Sequence, residues 1–358
     1  STILSIVTGL SPTPSNKEAL ASLRGRPTLG EILHGRGFHN EFLLTGPRNA
    51  LIEDLVGRGF DRALYMQSVW PNDEKYVRLT WGPDDRVLFD YVRAFIESQR
   101  KDSPPFFLVM YTSNAHYPYE SGSIPGLQDH PDARTRHTQL THHILELLTD
   151  LYAQLKQDGL ADSTAVLAFG DHGQAFGEHR GNYVHSKELY RENLHVPMFL
   201  LHPTRLGLPP RIPQLGALVD VMPTALDLLG IPAPPGSGMS LLNRAPDRVL
   251  FHMTPFGPGV AGFRGAGYFY SLSRSGRRSG ADSSFASALR VGPSFAATYA
   301  RRANTRAPGR FTILPWDLDL AFQPTAMLCG PRHDDPAFPL GERVFRSETL
   351  RARYLERM

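Results

Sequence analysis

The stretch "LTHHILELLTDLYAQLKQDGLADSTAVLAFGDHG", Leu140 to Gly173, decides the fold. Leu140, Ile144, Leu147, Leu151 and Leu155 recur at helical spacing on one face, and the run stops at Gly159, so the first part predicts an amphipathic helix. The second part, around "AVLAF", is too short for a helix of its own and is bounded by polar and glycine positions, which predicts a buried strand. Asp171, His172 and Gly173 follow directly beyond its carboxyl end. A helix feeding a buried strand that ends in polar residues is half of a parallel α/β unit.

The same alternation continues outward in both directions. "PTLGEILHGRGFHNEFLL" (Pro27 to Leu44) places Leu29, Ile32 and Leu33 on one helical face, stops at Gly35 and Gly37, and resumes as a short apolar strand. In "PPFFLVMYTSNAHYPY", Phe106 to Met110 form a β run, with His116 and Pro118 in the loop after it. "HVPMFLLHP" supplies a further strand, and "LVDVMPTALDLLGIP" a helix closed by Gly230 and Pro232. Strands separated by helices predict an α/β fold, a mostly parallel central sheet sandwiched by helices. Ligands bind such sheets beyond the carboxyl ends of the strands. His116 and Asp171 both stand just past a strand end, so two distant stretches are expected to converge on one site.

After residue 235 the character changes. "RVLFHMTPFG" and "GFRGAGYFYSLS" read as short antiparallel strands, "SRSGRRSGADSS" as an exposed loop, and "SETLRARYLERM" as a terminal helix capped by Ser347 and docked by Leu350 and Leu355. The expected organisation is a catalytic domain over residues 1–235 and a smaller α+β subdomain over 236–358.

Composition narrows the function. The 358 residues are 41% hydrophobic and 20% charged, which are globular values, and no apolar run approaches the roughly 18 residues of a membrane span. Net charge is only +3 and the basic residues are scattered rather than gathered in a stripe, which argues against nucleic acid as partner. Cys329 stands alone, which excludes an internal disulfide framework and a multi-cysteine metal site. The opening "STILSIVTGLSP" carries neither an initiator Met nor a signal-peptide pattern and reads as the interior of a longer chain.

Chemistry concentrates after the decisive strand. Asp171, His172, Glu178, His179, His185 and Glu188 fall within eighteen positions. A carboxylate beside an imidazole suits Zn²⁺ or Mn²⁺ better than Ca²⁺, which prefers oxygen throughout. Gly173 permits a sharp turn that aims both neighbours at one point. Taken alone, the tripeptide reads first as a capped turn with a solvated His.

The ordered series "GDHGQAFGEH", "YVHS", "LYRENLHVPMFLL" and "VDVMPTALDLLGIP" resembles the carboxyl-terminal half of the sulfatase and alkaline-phosphatase-like superfamily, including its lipoteichoic-acid synthase and phosphoethanolamine transferase branches. The resemblance covers roughly residues 1 to 235. It implies that Asp171 and His172 are metal ligands, and that His116, in "NAHYPY", contacts the transferred sulfate or phosphate group, or a second metal in some branches. His185 would share the duty of His116, both as catalytic and substrate-binding residues, and Lys187 stands near the place of a substrate-binding lysine. Glu178 and His179 either orient the ligands or belong to a solvated loop. The implied cofactor is one divalent ion, Mn, Zn or Ca, with a second in some branches. "ILSIVTGLSP" resembles the helix and Thr-Gly turn that follow the family nucleophile, so the nucleophile is expected just ahead of Ser1 and absent from this chain. Ser1, Thr2 and Ser5 read instead as polar positions on a buried helix.

Three functions are therefore expected in order. The first is metal-dependent hydrolysis of sulfate esters, or of related phosphate esters, from small-molecule, lipid or glycan substrates. The second is phosphoethanolamine- or phosphoglycerol-type transfer to a membrane or envelope acceptor, with a membrane anchor upstream. The third is a catalytically inactive fragment that only binds ligand. Family location implies an extracytoplasmic setting: periplasm, cell surface or a lysosome-like lumen.

Overall fold

A computed structural model describes residues 2–11, 23, 25–48, 50–69, 75–100, 102–186, 188, 190–201, 207–209, 212, 216–236, 238–243, 249–253, 259–264, 268–273 and 311–312. The chain divides into two compact units, one formed by Leu20–Leu167 and Phe199–Leu208, the other by Ser1–Ala19, Ala168–Met198 and Pro209–Met358.

The first unit is built on a parallel sheet. Strands β1 (His39–Leu44), β2 (Arg62–Tyr65) and β5 (Phe106–Tyr111) pair in the order β2-β1-β5, with Leu43 beside Leu64 on one side and Met110 on the other. β1 is central, so Phe42, Leu43 and Leu44 are all buried, as a strand covered on both faces requires. Helix α2 (Leu29–His34) enters β1 from a capping box, Thr28 Oγ1 accepting from Glu31 N and Glu31 Oε2 from Thr28 N. Helix α3 (Ala50–Val56) leads to β2, which continues into the short α4 (Met66–Val69). The hairpin of β3 (Arg78–Leu79) and β4 (Gly82–Pro83) precedes helix α5 (Arg86–Ser98).

The core of this unit lies between the sheet and two amphipathic helices. Val87, Leu88, Phe89, Val92 and Ile96 of α5 cluster with Leu43, Met66, and with Leu151 and Leu155 of α6 (Ala133–Gln157). The apolar stripe read from Leu140 to Leu155 is thus the packed face, with Leu140, Leu151 and Leu155 buried and Ile144 and Leu147 partly so. The helix starts seven residues before Leu140, where Asp132 caps it by accepting from Thr135 N, because its first turns carry polar residues that show no periodicity. It ends where expected, at a Gly159 of φ 71°.

Gly59, in the turn before β2, is the tightest position of this unit. Its φ is 86°, and a Cβ there would stand 2.2 Å from Glu31 N and 2.4 Å from Gly30 C, both backbone atoms of α2. Gly59→Ala combines left-handed strain with a clash that only backbone movement relieves. It is expected to lower unfolding stability by about 2–3 kcal/mol in denaturant titration.

In the second unit, α1 (Thr2–Thr8) buries Ile3, Leu4, Ile6 and Val7 and contacts the 3₁₀ turn Leu218–Asp220 and α8 (Val221–Leu228). Ser5 is buried on α1, as expected for a polar position of a buried helix. The helix stops at Gly9, φ 64°, whose carbonyl accepts from Gly238 N. Strands β8 (Val249–Met253), β9 (Gly259–Arg264) and β10 (Tyr268–Ser273) form the antiparallel meander expected from "RVLFHMTPFG" and "GFRGAGYFYSLS", with β11 (Phe311–Thr312) parallel to β8. The loop 274–284 and the terminal helix over 347–358 lie outside the described residues.

Strands β6 (Val166–Phe169) and β7 (Met198–Leu201) form a further two-stranded sheet, with α7 (Arg191–Leu194) between them in sequence. Among the described residues, no helix is long and apolar enough to cross a membrane.

Candidate active site

The segment from the end of β6 to α7, residues 168–194, carries most of the expected site residues and lies within the second unit. Beyond Phe169 the chain passes Gly170, where a Cβ would meet Val196 Cγ1 at 2.8 Å, so only glycine allows so close an approach. Gly173 N then donates to Asn193 O at 3.0 Å, which ties the turn to α7. Asp171 and His172 sit on this anchored turn.

Two histidines stack there. The rings of His172 and His185 lie 4.1 Å apart at 14°. His172 Nδ1 is 2.9 Å from Gly173 O, a pure acceptor, so Nδ1 carries the proton and Nε2 of the neutral ring presents its lone pair. Nε2 lies 3.7 Å from Asp171 Oδ1. The same logic sets His185 through the buried Gln174. The Gln174 amide nitrogen donates to Ala175 O at 2.7 Å and Tyr183 O at 3.3 Å, which turns its oxygen toward His185 Nδ1 at 3.3 Å. His185 Nδ1 therefore donates, and its Nε2 is the acceptor nitrogen of the neutral ring.

A carbonyl holding Nδ1–H, with Nε2 turned toward a carboxylate oxygen, is the arrangement of metal-binding imidazoles. Asp171 and His172 thus fit as two members of a ligand set. Among the described residues, no group of three or more His, Cys, Asp or Glu is gathered for a metal ion, so the remaining ligands are not found among them.

The other half of the segment is a buried polar network. His179 Nδ1 is 2.8 Å from Glu192 Oε1 and its ring stacks on Tyr190 at 3.9 Å and 4°. Asn182 Nδ2 donates to the same Glu192 oxygen at 2.6 Å and to Asn193 Oδ1 at 2.6 Å, while Asn193 Nδ2 donates to Val184 O at 2.6 Å. Burial pushes the Glu192 carboxyl up, but hydrogen bonds from His179, the backbone and Asn182 outweigh it and hold the carboxyl below the usual range. Glu178 Oε2 accepts from Phe176 N at 2.6 Å, a bond internal to the loop. The structure thus brings Asp171, His172 and His185 together and engages His179 with Glu192. Lys187 lies outside the described residues.

His116 belongs to the first unit, in the loop after β5. Its Nδ1 is 3.0 Å from Tyr117 O, and Trp81 from the β3–β4 hairpin meets its ring edge-on at 4.8 Å and 77°. The Trp81 indole N–H also donates to Tyr117 O, which pins hairpin and loop together. Behind them lies Asp85, fully buried, which accepts from Thr45 Oγ1, Ser113 N and Asn114 N. Burial, outweighing these three donors, pushes its carboxyl up to about 6.

The sequence reading missed Gln174, Asn182, Glu192 and Asp85. "DHGQ" and "YREN" offered the first and third as polar residues inside otherwise readable motifs. Asp85, in "PDDR", reads as a polar turn and gives no such signal.

The fold is that of the alkaline-phosphatase-like class. A protein of the alkaline phosphatase superfamily from Vibrio parahaemolyticus superposes with a TM-score of 0.57 at 20% identity, covering 84% of this chain and 75% of that one. The lipoteichoic acid synthase LtaP from Listeria monocytogenes gives 0.60 at 19%, covering 88% and 81%. Within that class the chain belongs to the sulfatase family, whose model its residues 2–231 match. It is similar to arylsulfatase K of Bos taurus, 38% identical over 98 residues, which cover 27% of this chain. The matched part spans 17% of that relative's length.

Proposed function

We propose that the protein is a metal-dependent hydrolase of sulfate esters, working outside the cytoplasm on a small-molecule or glycan ester. The observation that carries this reading is the His172–His185 stack with both tautomers set, one by Gly173 O and the other by Gln174, beside the Asp171 carboxylate. Asp171 Oδ1 and His172 Nε2 would hold a divalent ion of the Mn or Zn type. When bound, such an ion stabilises charge that develops on the oxygens of the transferred group. His185 Nε2, when protonated, would donate to the ester oxygen as the S–O bond breaks and sulfur bonds to the attacking nucleophile, so that the alcohol leaves neutral. The motif resemblance assigns His116 as a further contact for the transferred group. Family membership supports the reaction class, and the matched motifs support the residue roles.

A second reading is transfer of a phosphorus-linked group to a membrane or envelope acceptor, favoured by "YVHS", which resembles the transferase branch at His185. One assay separates the two. The complete protein with aryl sulfate and aryl phosphate should hydrolyse the sulfate preferentially, with His116→Ala losing on the order of 10²-fold in kcat/KM. Preference for the phosphate favours the transferase reading, and full activity of His116→Ala removes His116 from the site.

A further inference from the structure

We propose that Asp85 is a positioning residue for His116, holding the loop after β5 through Thr45, Ser113 and Asn114. The inference rests on the reading of His116 as a contact for the transferred group.

Asp85 stands at the N-cap of α5, where an aspartate ordinarily accepts from the first backbone N–H groups of its helix. It makes no such bond. Its carboxylate is engaged elsewhere: one oxygen accepts from Thr45 Oγ1 at 2.6 Å and Ser113 N at 3.0 Å, the other from Asn114 N at 2.9 Å. The bond is reciprocated, since Asp85 N donates to Asn114 Oδ1 at 2.7 Å. Thr45 follows β1, Ser113 and Asn114 follow β5, and Asp85 opens α5, so one carboxylate joins three elements at the carboxyl end of the sheet.

His116 is one bond further on, its N–H donating to Ser113 O at 3.1 Å. The hairpin bearing Trp81 closes on the same point, because a Cβ on Gly82 would lie 2.3 Å from Thr45 O. Thr45 also reaches Tyr111 O at 3.2 Å and Ser113 Oγ at 3.1 Å. The neighbouring carboxylate takes no part in this clasp, since Asp84 pairs with Arg86 at 2.7 Å and accepts from Val77 N. An amide in place of Asp85 turns an NH₂ toward at least one of the three donors, so the clasp opens while the side-chain volume is kept.

The test is a double-mutant cycle in the complete protein with Asp85→Asn, His116→Ala and both together, read as kcat/KM on the aryl ester. It is paired with hydrogen exchange of residues 111–119 and 39–44. Asp85→Asn is expected to lose roughly 10–100-fold alone and less than about 3-fold in the His116→Ala background, since the coupling passes through His116. Exchange should quicken in 111–119 and hold in 39–44. Equal losses in both backgrounds, or unchanged exchange in 111–119, overturn the proposal. If His116→Ala is fully active, or no ester is hydrolysed, the functional reading fails, and the exchange arm alone decides whether Asp85 holds the loop. Should Asp85→Asn not fold, Thr45→Val removes a single donor and is measured in the same way.

Discussion

Asp171→Ala and His172→Ala should each lower ester hydrolysis by on the order of 10³-fold in kcat/KM, with thermal unfolding nearly unchanged. The size follows from losing several kcal/mol of charge stabilisation on the transferred group, at about 1.4 kcal/mol per tenfold in rate. The small stability effect follows from exposure: both side chains remain partly open to solvent, and the turn that carries them is held by Gly173 N on Asn193 O rather than by their own contacts. Asp171→Asn, which keeps the shape but removes the charge, should lose as much as Asp171→Ala. Unfolding of the variants in step with lost activity would instead mark the pair as structural.

Glu192→Ala should do the reverse, costing about 3–5 kcal/mol of stability by stranding partners of a buried carboxylate. His179 Nδ1 and the Asn182 amide both face Glu192 Oε1, and the side chains of Asn182, Glu192 and Asn193 are all buried. Glu192→Gln keeps an acceptor oxygen and should cost less. The pH dependence has a definite sign. The folded carboxyl is held below its ordinary value of 4.5, so its stabilisation is complete above that value and is lost as pH falls through the lowered folded value. The stability gap between wild type and Glu192→Ala should therefore narrow on acidification below about pH 4.5. A gap that is small at neutral pH, or that widens in acid, contradicts this role.

The sequence made the core elements readable where apolar period and boundary residues agreed. The face Leu140 to Leu155, the Gly159 stop and a strand before Asp171 stand as expected because spacing and turn chemistry point the same way, although that strand is half-buried rather than buried. β2 was not legible: it is four residues long, begins with two exposed residues, and is a strand because β1 pairs with it in register. The segment after β6 was legible as a strand followed by a polar turn at Asp171, His172 and Gly173, since that order is a local pattern. It hid the work of His179, because the Glu192 partner comes from α7 and only folding brings the two together. Asp85 was hidden for the same reason. Its burial depends on the β5 loop closing over the start of α5, and nothing in "PDDR" records that closure.

The central claim is that Asp171 and His172 bind a divalent ion, and titration calorimetry of the complete protein with Mn²⁺ and Zn²⁺ tests it most directly. Wild type should bind one of these ions saturably, and the Asp171→Ala, His172→Ala double variant, with its fold confirmed by circular dichroism, should lose at least roughly 10²-fold in affinity. Equal binding by both proteins would contradict the assignment.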